Sequence, residues 1–212
     1  MAAKILTVAQ QKGGAGETTL AAQLAAAWTL QGQRVAILNI DPQGSLAGWY
    51  AAREDHATEA DPLTLSQVGG WRIGKSLDDM RADFDVIVID SLPHAETEAR
   101  IAVRAADLVL VPIQPSPMDV WATQETLDLA NKEKTDLLVV LNRVSPRGRV
   151  VEVIRGQLAE KKLPTAQTTV GNRIAFAASM LEGKGVVESH RRSPAADEVH
   201  ALADEIAGTL GF

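Results

Sequence analysis

The sequence predicts an α/β fold, with a doubly wound, mostly parallel sheet and helices on both of its faces. Short runs of branched and aliphatic residues recur along the chain without alternating polar residues, which is typical of strands covered on both faces. Helical segments separate several of these runs, and this repeated order of strand and helix favours a parallel sheet. The predicted strands are residues 5–9, 35–40, 63–68, 86–89, 108–113 and 137–141.

The predicted helices alternate with these strands and then close the fold. The first helix ends before Gly32, and the last begins after Ser193 and Pro194, a pair that suits a helix start. The polar, acidic segment 53–62 predicts a surface loop. Because there is no long linker and no internal repeat, we expect one domain over residues 1–212. The predicted helices are residues 18–30, 96–105, 118–131, 150–161, 172–181 and 195–210.

The composition excludes several classes of protein. Hydrophobic residues make up 46% and charged residues 23% of the chain, a balance typical of folded globular proteins. Lys and Arg number 21 against 27 Asp and Glu, and the net charge of −6 excludes a protein that is basic all over, although not a local basic patch. The absence of cysteine excludes disulfides, thiolate metal sites and cysteine nucleophiles. No apolar run is long enough for a signal peptide or a membrane span, so we expect a cytoplasmic protein.

A glycine-rich segment, residues 11–19, lies between the first predicted strand and the first predicted helix. In this context glycine N–H groups can turn toward phosphate oxygens, the helix N-terminus adds positive potential, and a threonine hydroxyl can bind Mg²⁺. An ordinary glycine-rich turn from strand to helix is the alternative. The candidate nucleotide-binding residues of this segment are Gly13, Gly14, Ala15, Gly16, Glu17, Thr18 and Thr19.

The segment, Q-K-G-G-A-G-E-T-T, resembles the K-G-G-x-G-K-T-T loop of the ParA/MinD family of deviant P-loop ATPases. The resemblance implies that Lys12 is the signature lysine, a catalytic residue that reaches the partner's phosphates across a nucleotide-sandwich dimer. It also implies that Thr18 binds Mg²⁺ and that Thr19 contacts phosphate. Glu17 departs from the family pattern, because it stands where the ordinary P-loop lysine contacts the β and γ phosphates.

Two further motifs that resemble the same family follow predicted strands. The segment N-I-D-P-Q-G-S at residues 39–45 is similar to D-x-D-P-Q-G-S, which implies that Asp41 orients or activates the attacking water. Asn39 stands where the family usually has a carboxylate. The strand that ends in D-S-L-P-H resembles the Walker B strand and switch, which implies that Asp90 holds Mg²⁺ through water, while Leu92 replaces a common proline.

The remaining motifs of this resemblance complete a nucleotide site. The segment V-P-I-Q-P-S, which contains Pro112, resembles the strand and loop on the adenine side, and Asn142 resembles the asparagine that contacts the base. All of these segments lie at carboxyl ends of predicted strands, where open α/β sheets bind ligands. The resemblance runs from Lys4 to about Leu210 and implies ATP or ADP with Mg²⁺ as ligands. It is closer to the small ParA partition proteins than to MinD, because the C-terminal segment lacks the basic face of a membrane-targeting helix.

Glu17 replaces a cation beside the phosphates by an anion. Two unit charges about 4 Å apart interact by ~4 kcal/mol at an effective dielectric of about 20, and each ~1.4 kcal/mol changes affinity about tenfold. We therefore expect weaker nucleotide binding, by orders of magnitude, unless Glu17 turns to solvent or pairs with an Arg or Lys. Two interpretations stay open: a hydrolysis-defective variant, natural or engineered, or a degenerate paralogue that still uses the loop backbone, Lys12, Thr18 and Mg²⁺.

Arginines in the C-terminal half are candidates for DNA binding. ParA-like dimers bind DNA non-specifically through such residues, and contacts to the phosphate backbone need no reading of sequence. A solvated surface is the alternative, because glutamates are interspersed among the arginines. The candidates are Arg147, Arg149, Arg173, Arg191 and Arg192.

The histidines and tryptophans add no further chemistry. The four histidines form no metal-ligand spacing with one another, so Mg²⁺ is the one metal that we expect. Trp28, Trp49, Trp71 and Trp121 are predicted to pack in the interior, with a dimer interface as the alternative for Trp49.

The first functional hypothesis is an ATP-switched, ParA-like ATPase. ATP would promote a sandwich homodimer, the dimer would bind DNA on the nucleoid, and a ParB-like or other adaptor would stimulate hydrolysis, so that DNA or another cargo is partitioned or positioned without a membrane. The second hypothesis is a ParA-like binding module that does not hydrolyse ATP, which Glu17 favours. A third, an amidoligase or a reductase-associated ATPase of similar fold, is disfavoured, because the chain has no cysteine for a cluster and no second substrate domain.

Overall fold

The structure is a computed structural model that describes residues 2–40, 44–55, 62–69, 72–91, 96–146 and 149–212. Its strands are β1 (Lys4–Val8), β2 (Val35–Asn39), β3 (Leu63–Gln67), β4 (Val86–Asp90), β5 (Leu108–Ile113), β6 (Leu137–Val144) and β7 (Thr165–Gly171). These described residues form a seven-stranded sheet in the order β3-β2-β4-β1-β5-β6-β7. All neighbouring strands run parallel. The predicted doubly wound α/β fold is thus confirmed.

Helices cover both faces of this sheet. They are α1 (Glu17–Leu30), α2 (Ser45–Glu54), α3 (Ile73–Met80), α4 (Glu96–Ala105), α5 (Pro117–Glu133), α6 (Val150–Glu160), α7 (Ile174–Leu181), α8 (Val186–Ser189) and α9 (Pro194–Leu210). Side chains alternate between the faces of a strand, so Leu6 packs with α1 and α9 while Ile5 packs with α3 and α4. A further cluster, around Val109 and Ile154, lies under α5 and α6. In the described parts of the chain, no helix is long and apolar enough to cross a membrane.

The last helix completes the core around α1. Trp28 of α1 is fully buried, and its Nε1 donates a hydrogen bond to the Ala203 carbonyl of α9 at 3.3 Å. Its ring also meets the edge of Phe212, with 5.7 Å between the ring centroids. The predicted packing role of Trp28 is confirmed, and α9 begins after Ser193 as predicted, with the Ser193 hydroxyl as the N-cap.

The sequence does not predict β7, α2, α3 or α8. β7 consists largely of threonine, glutamine and glycine, and only Ala166 and Val170 of this strand are buried, so it lacks the continuous apolar run that identifies the inner strands. The prediction of a surface loop over residues 53–62 is wrong at its start. Arg53 and Glu54 end α2, and Arg53 is buried, while residues 56–61 lie outside the described parts.

A buried ion pair fastens α2 to the C-terminal part of the fold. The Arg53 guanidinium donates to both carboxylate oxygens of Glu188, each at 2.9 Å, and to the Gly183 carbonyl at 3.3 Å. It also lies over the Trp49 ring, 5.7 Å from the centroid. Trp49 is buried and its Nε1 donates to the Lys184 carbonyl at 3.3 Å, so it packs in the interior as predicted. These partners satisfy a charge that would be costly to bury alone.

Gly183→Ala should lower the free energy of unfolding by about 2–4 kcal/mol. Gly183 has a φ of +65°, and an added Cβ would overlap with the backbone of Arg53. Urea unfolding measures the loss. Gly208→Ala is the matched control, because the space around Gly208 in α9 is open, and it should be neutral or stabilising by up to ~1 kcal/mol. Equal stabilities of the two variants would contradict the close approach of α2 to Gly183.

A second ion pair joins the starts of β2 and β4. Asp85 accepts hydrogen bonds from the Arg34 guanidinium at 2.8 and 3.1 Å and from the Arg34 backbone N–H at 2.9 Å. These hydrogen bonds lower the pKa of the Asp85 carboxyl from 3.8 to about 2. Because the pKa is lower in the folded state, the pair contributes stability that is fully present above pH 3.8 and is lost as the pH falls through about 2.

Asp85→Asn should therefore reduce the fall in stability between pH 3.8 and about 2. Urea unfolding at a series of pH values across this range measures the effect. Asp79→Asn, on the exposed side of α3, is the control and should leave the fall in place. If Asp85→Asn loses stability over this range as steeply as the unmodified protein, the pair does not contribute to acid sensitivity.

Candidate functional site

The candidate site lies where β1 ends at the centre of the sheet. β1 runs between β4 and β5, and the helices that follow β1 and β5 pack on opposite faces. In an open α/β sheet this change of face opens a crevice at the carboxyl ends of the strands, in which ligands bind. Residues 9–16 connect β1 to α1 at this point.

Two glycines shape this connection, called here the glycine-rich loop. Gly14 and Gly16 have φ values of +90° and +96°, which residues with side chains rarely adopt. Gly16 is also the N-cap of α1, so the first N–H groups of that helix open at the end of the loop. Such N–H groups have no partner within the helix, and together with the helix dipole they attract anions.

Three side chains from later strands hold the carbonyls of the loop. Asn142 of β6 donates from Nδ2 to the Ala15 carbonyl at 2.7 Å. Gln114, after β5, and Arg143, beside Asn142, both donate to the Gly14 carbonyl, at 3.1 and 3.0 Å. The loop is therefore fixed in shape from β5 and β6. Asn142, which the sequence predicts to contact a base, has a bracing role here, and its contact with a base stays a prediction.

Two cavities of the described structure are lined by glycines of this loop. The first cavity, about 350 Å³, lies between α1, β6, β7 and α7, and its lining combines amides with apolar side chains such as Phe176 and Met180. The second cavity, about 740 Å³, lies over the start of α1 and is lined by Thr18, Thr19 and Ser45 among others. The linings share Gly16, Thr19, Arg143, Ala177 and Met180. A cavity that combines apolar side chains with amides suits a base, and the hydroxyls at a helix N-terminus suit phosphates.

Glu17 lines the second cavity. It is only 8% exposed, and its Oε1 is buried without a hydrogen-bond partner among the described residues. Burial raises the pKa of the Glu17 carboxyl above its usual value, against the opposing effect of backbone N–H groups and of the nearby Arg143 charge. Repulsion between Glu17 and phosphate would be relieved if Glu17 turned to solvent or paired with an Arg or Lys. The Glu17 side chain does not turn to solvent, and within the described chain no ion pair joins it to a cation.

The predicted Mg²⁺ ligands come from two elements, the end of β4 and the first turn of α1. Asp90 ends β4 and is buried in register with Val8, the last residue of β1, and with Asn39 of β2. Thr18 is in the first turn of α1 and lines the second cavity. A carboxylate and a hydroxyl are donors that suit Mg²⁺, which keeps several waters as ligands. Among the described residues, no group of three or more His, Cys, Asp or Glu is arranged to hold a metal by itself.

Lys12 is held on the outer side of the loop by α5. Its Nζ lies 2.9 Å from Asp119 Oδ2, and Asp119 is almost fully buried. The Ser116 hydroxyl donates to the same oxygen at 2.6 Å. Lys12 does not line either cavity. Sequence reasoning misses Asp119, although the Ser-Pro-Met-Asp order is a helix-start pattern that places an acid one turn into α5.

Several predicted site residues lie away from the second cavity or outside the described residues. Asp41 and Arg147 are not among the described residues. Pro112 is buried within β5, opposite Val140 of β6, and lines neither cavity. Arg173 lines the first cavity and donates to both carboxylate oxygens of Glu198, at 3.0 and 2.5 Å. The DNA candidates with exposed side chains in the structure are Arg149, Arg191 and Arg192.

Trp121 contradicts its predicted packing role. It lies on α5 with 68% of its surface exposed, beside the equally exposed Met118. The apolar positions of α5 that are buried are instead Val120, Leu127 and Ala130. The error arises because aromatic residues are assigned to the core by type, whereas the face of the helix decides burial. Trp71 lies outside the described residues.

Comparison with known proteins finds one nucleotide-binding family and several relatives. A family described as the CobQ/CobB/MinD/ParA nucleotide binding domain matches residues 6–186. The carboxysome distribution maintenance protein A of Gloeobacter kilaueensis is 34% identical over 189 residues, which cover 87% of this chain and 84% of that protein. Protein ParA of Rhizobium radiobacter is 30% identical over 182 residues, covering 82% and 81%. Among solved structures, Pyrococcus horikoshii MinD with Mg-ADP aligns with a TM-score of 0.83 at 19% identity, covering 99% of this chain and 98% of that one.

Gly16→Ala should destabilise the protein by about 1–3 kcal/mol more than Gly14→Ala. Both glycines have a positive φ, but an added Cβ at Gly16 would lie 2.5 Å from Asn142 Nδ2, while the space at Gly14 is open. Urea unfolding of the two variants isolates this difference. The double variant Gly16→Ala, Asn142→Ala should recover part of the loss, because it removes the crowding. Equal stabilities of the two glycine variants would show that the loop does not depend on the approach of β6.

Proposed function

The chain belongs to the CobQ/CobB/MinD/ParA nucleotide-binding family, and from that premise we propose that it is a single-domain, ATP-switched ATPase that positions or partitions a cargo on DNA. The observation that carries the proposal is the glycine-rich loop at the start of α1, held by Asn142, Gln114 and Arg143 between two adjoining cavities. A nucleotide needs such a pair, one cavity for the base and one for the phosphates. The two linings share five residues, so one ligand can occupy both.

The residues present suit ATP with Mg²⁺. The base would lie in the first cavity against Phe176 and Met180, and the phosphates would lie at the N–H groups that open α1. Thr18 and Asp90 would hold Mg²⁺, which neutralises phosphate charge when bound. Asp41, outside the described residues, follows β2 and would orient the attacking water.

Dimerisation would follow from a change of partner at Lys12. In the structure Lys12 is bound within its own chain by Asp119, so an approach to a second copy requires this ion pair to open. Asp119 keeps the Ser116 hydroxyl as a partner at 2.6 Å when Lys12 leaves, which reduces the cost of leaving a buried carboxylate behind. Lys12 would then stabilise phosphate charge across the interface of a homodimer.

DNA binding would use exposed arginines of the C-terminal half. Arg149 precedes α6, while Arg191 and Arg192 lie between α8 and α9. Arginines that contact phosphate oxygens give non-specific, salt-dependent binding, and we propose that such binding places the dimer on the nucleoid. Arg147 stays a candidate outside the described residues, and Arg173 is engaged by Glu198.

Cargo and adaptor follow by analogy with relatives. One similar protein bears the name of carboxysome distribution and another the name ParA. We therefore propose that a ParB-like or other adaptor protein stimulates hydrolysis and links this chain to a plasmid, a chromosome or a protein assembly.

A binding module that does not hydrolyse ATP is the second candidate, and Glu17 favours it. Its carboxylate lies buried in the cavity assigned to the phosphates, where an anion opposes a polyanionic ligand. Such a protein would bind DNA or an adaptor to the same extent with and without ATP.

Titration of Mg·ATP into the protein and its Glu17→Lys variant tests the proposal. We expect measurable binding by the unmodified protein and binding tightened about 100-fold or more by Glu17→Lys, because an opposed charge becomes an attractive one. Glu17→Gln, which removes the charge at nearly constant size, should fall between the two. Absence of binding in all three proteins would overturn the ATP switch.

Phosphate release and DNA binding separate the two candidates. The switch predicts ATP turnover that DNA and adaptor stimulate and that Lys12→Ala abolishes. It also predicts DNA binding that requires ATP. DNA binding of equal strength with and without ATP, together with no phosphate release, would support the binding module instead.

A further inference from the structure

We propose that Arg143, at the end of β6, supplies the phosphate-binding cation that the glycine-rich loop itself lacks because Glu17 stands at the lysine position. The inference rests on the proposed function, since it concerns how ATP is held. In an ordinary P-loop a lysine of the loop itself contacts the β and γ phosphates. Here a strand residue would make that contact.

The guanidinium of Arg143 lies against the loop. Nη1 donates to the Gly14 carbonyl at 3.0 Å, and Nε lies 3.7 Å from the point where a Cβ on Gly16 would be. Among the described residues, Arg143 is the cation that lines both cavities. A guanidinium carries five N–H donors in a planar fork that matches phosphate oxygens. One of these donors serves Gly14, which leaves donors to face a ligand at the junction of the cavities.

The backbone at Arg143 explains how its side chain reaches the loop. Neighbouring residues of a regular strand point to opposite faces, yet Asn142 and Arg143 both donate to the same loop. Arg143 has a φ of +54°, the pairing of β6 with β7 is irregular between Leu141 and Val144, and Asn142 Oδ1 accepts the Arg143 N–H at 2.9 Å. A residue other than glycine is strained in the left-handed region, and such strain is found at sites where a side chain is held in a particular direction.

Two other cations near the site, in the part of the chain that the structure describes, are already engaged. Lys12 is bound by Asp119 and lines neither cavity. Arg173 lines the first cavity, but both carboxylate oxygens of Glu198 bind its guanidinium. Arg143 and Glu17 line the same cavity, and within the described chain no ion pair joins them. Phosphates placed there would therefore meet the guanidinium, whose positive charge would offset the repulsion by the Glu17 carboxylate.

A double-mutant cycle measured by calorimetric titration of Mg·ATP tests this role. Arg143→Gln should weaken binding about tenfold or more in the protein with Glu17, since a hydrogen bond to a charged group is lost. In the Glu17→Lys background, where the loop has its own cation, the same change should cost less than about threefold. The loss should decrease from ATP to ADP to AMP if Arg143 serves the outer phosphates.

Two matched variants separate phosphate binding from folding. Arg155→Gln removes an arginine of α6 that donates to the Gln167 carbonyl and lines neither cavity, and it should leave ATP affinity unchanged. Arg143→Gly accepts the positive φ without strain and leaves Gln114 as a donor to the Gly14 carbonyl. It should therefore unfold at an unchanged or higher urea concentration while binding ATP as weakly as Arg143→Gln.

The outcomes distinguish this inference from the proposed function. Equal losses in both backgrounds, or undiminished binding by Arg143→Gln, would overturn the role of Arg143 while ATP binding stands. Binding by Glu17→Lys but not by the unmodified protein would overturn it too, because Arg143 would then fail to compensate. If no variant binds ATP, the proposed function fails and this inference fails with it.

Discussion

Asn142 donates to the Ala15 carbonyl and Arg143 to the Gly14 carbonyl, across sequence separations of 127 and 129 residues. These two hydrogen bonds fix the turn between β1 and α1 from a distant strand, in addition to the positive φ values of its own Gly14 and Gly16. The strand must come so close that Gly16 has no room for a side chain. The positions of the α1 N-terminus, the two cavities and the guanidinium beside them all follow from this contact.

Much of the fold is readable from the sequence because parallel strands buried on both faces have a simple signature. The runs that form β1, β2, β4, β5 and β6 are mostly apolar, and their order with the helices gives the topology class. β7 escapes detection because it lies at the sheet edge and needs only Ala166 and Val170 as apolar residues. The sequence assigns Arg53 to a loop because its partner Glu188 lies 135 residues away, and no local pattern indicates such an ion pair.

The site is less readable than the fold for a similar reason. The glycine-rich loop, Thr18 and Asp90 are visible as motifs, since each depends on neighbouring residues. The bracing by Gln114, the ion pair of Lys12 with Asp119 and the positive φ of Arg143 depend on contacts between distant segments. Charge at the loop is therefore distributed: Glu17 is buried among backbone N–H groups, Lys12 is bound by α5, and the guanidinium comes from β6. The residues of the loop and of the first turn of α1 supply only the first two of these charges.

The contact of Trp28 with α9 bears on how the chain folds during synthesis. The Trp28 indole is satisfied by Ala203, 175 residues further along, so α1 cannot complete its packing until nearly every other element has been made. At typical rates of protein synthesis this interval is on the order of 10–30 s. While the chain is still being made, the face of the sheet that α1 and α9 share therefore keeps apolar surface that α9 does not yet cover.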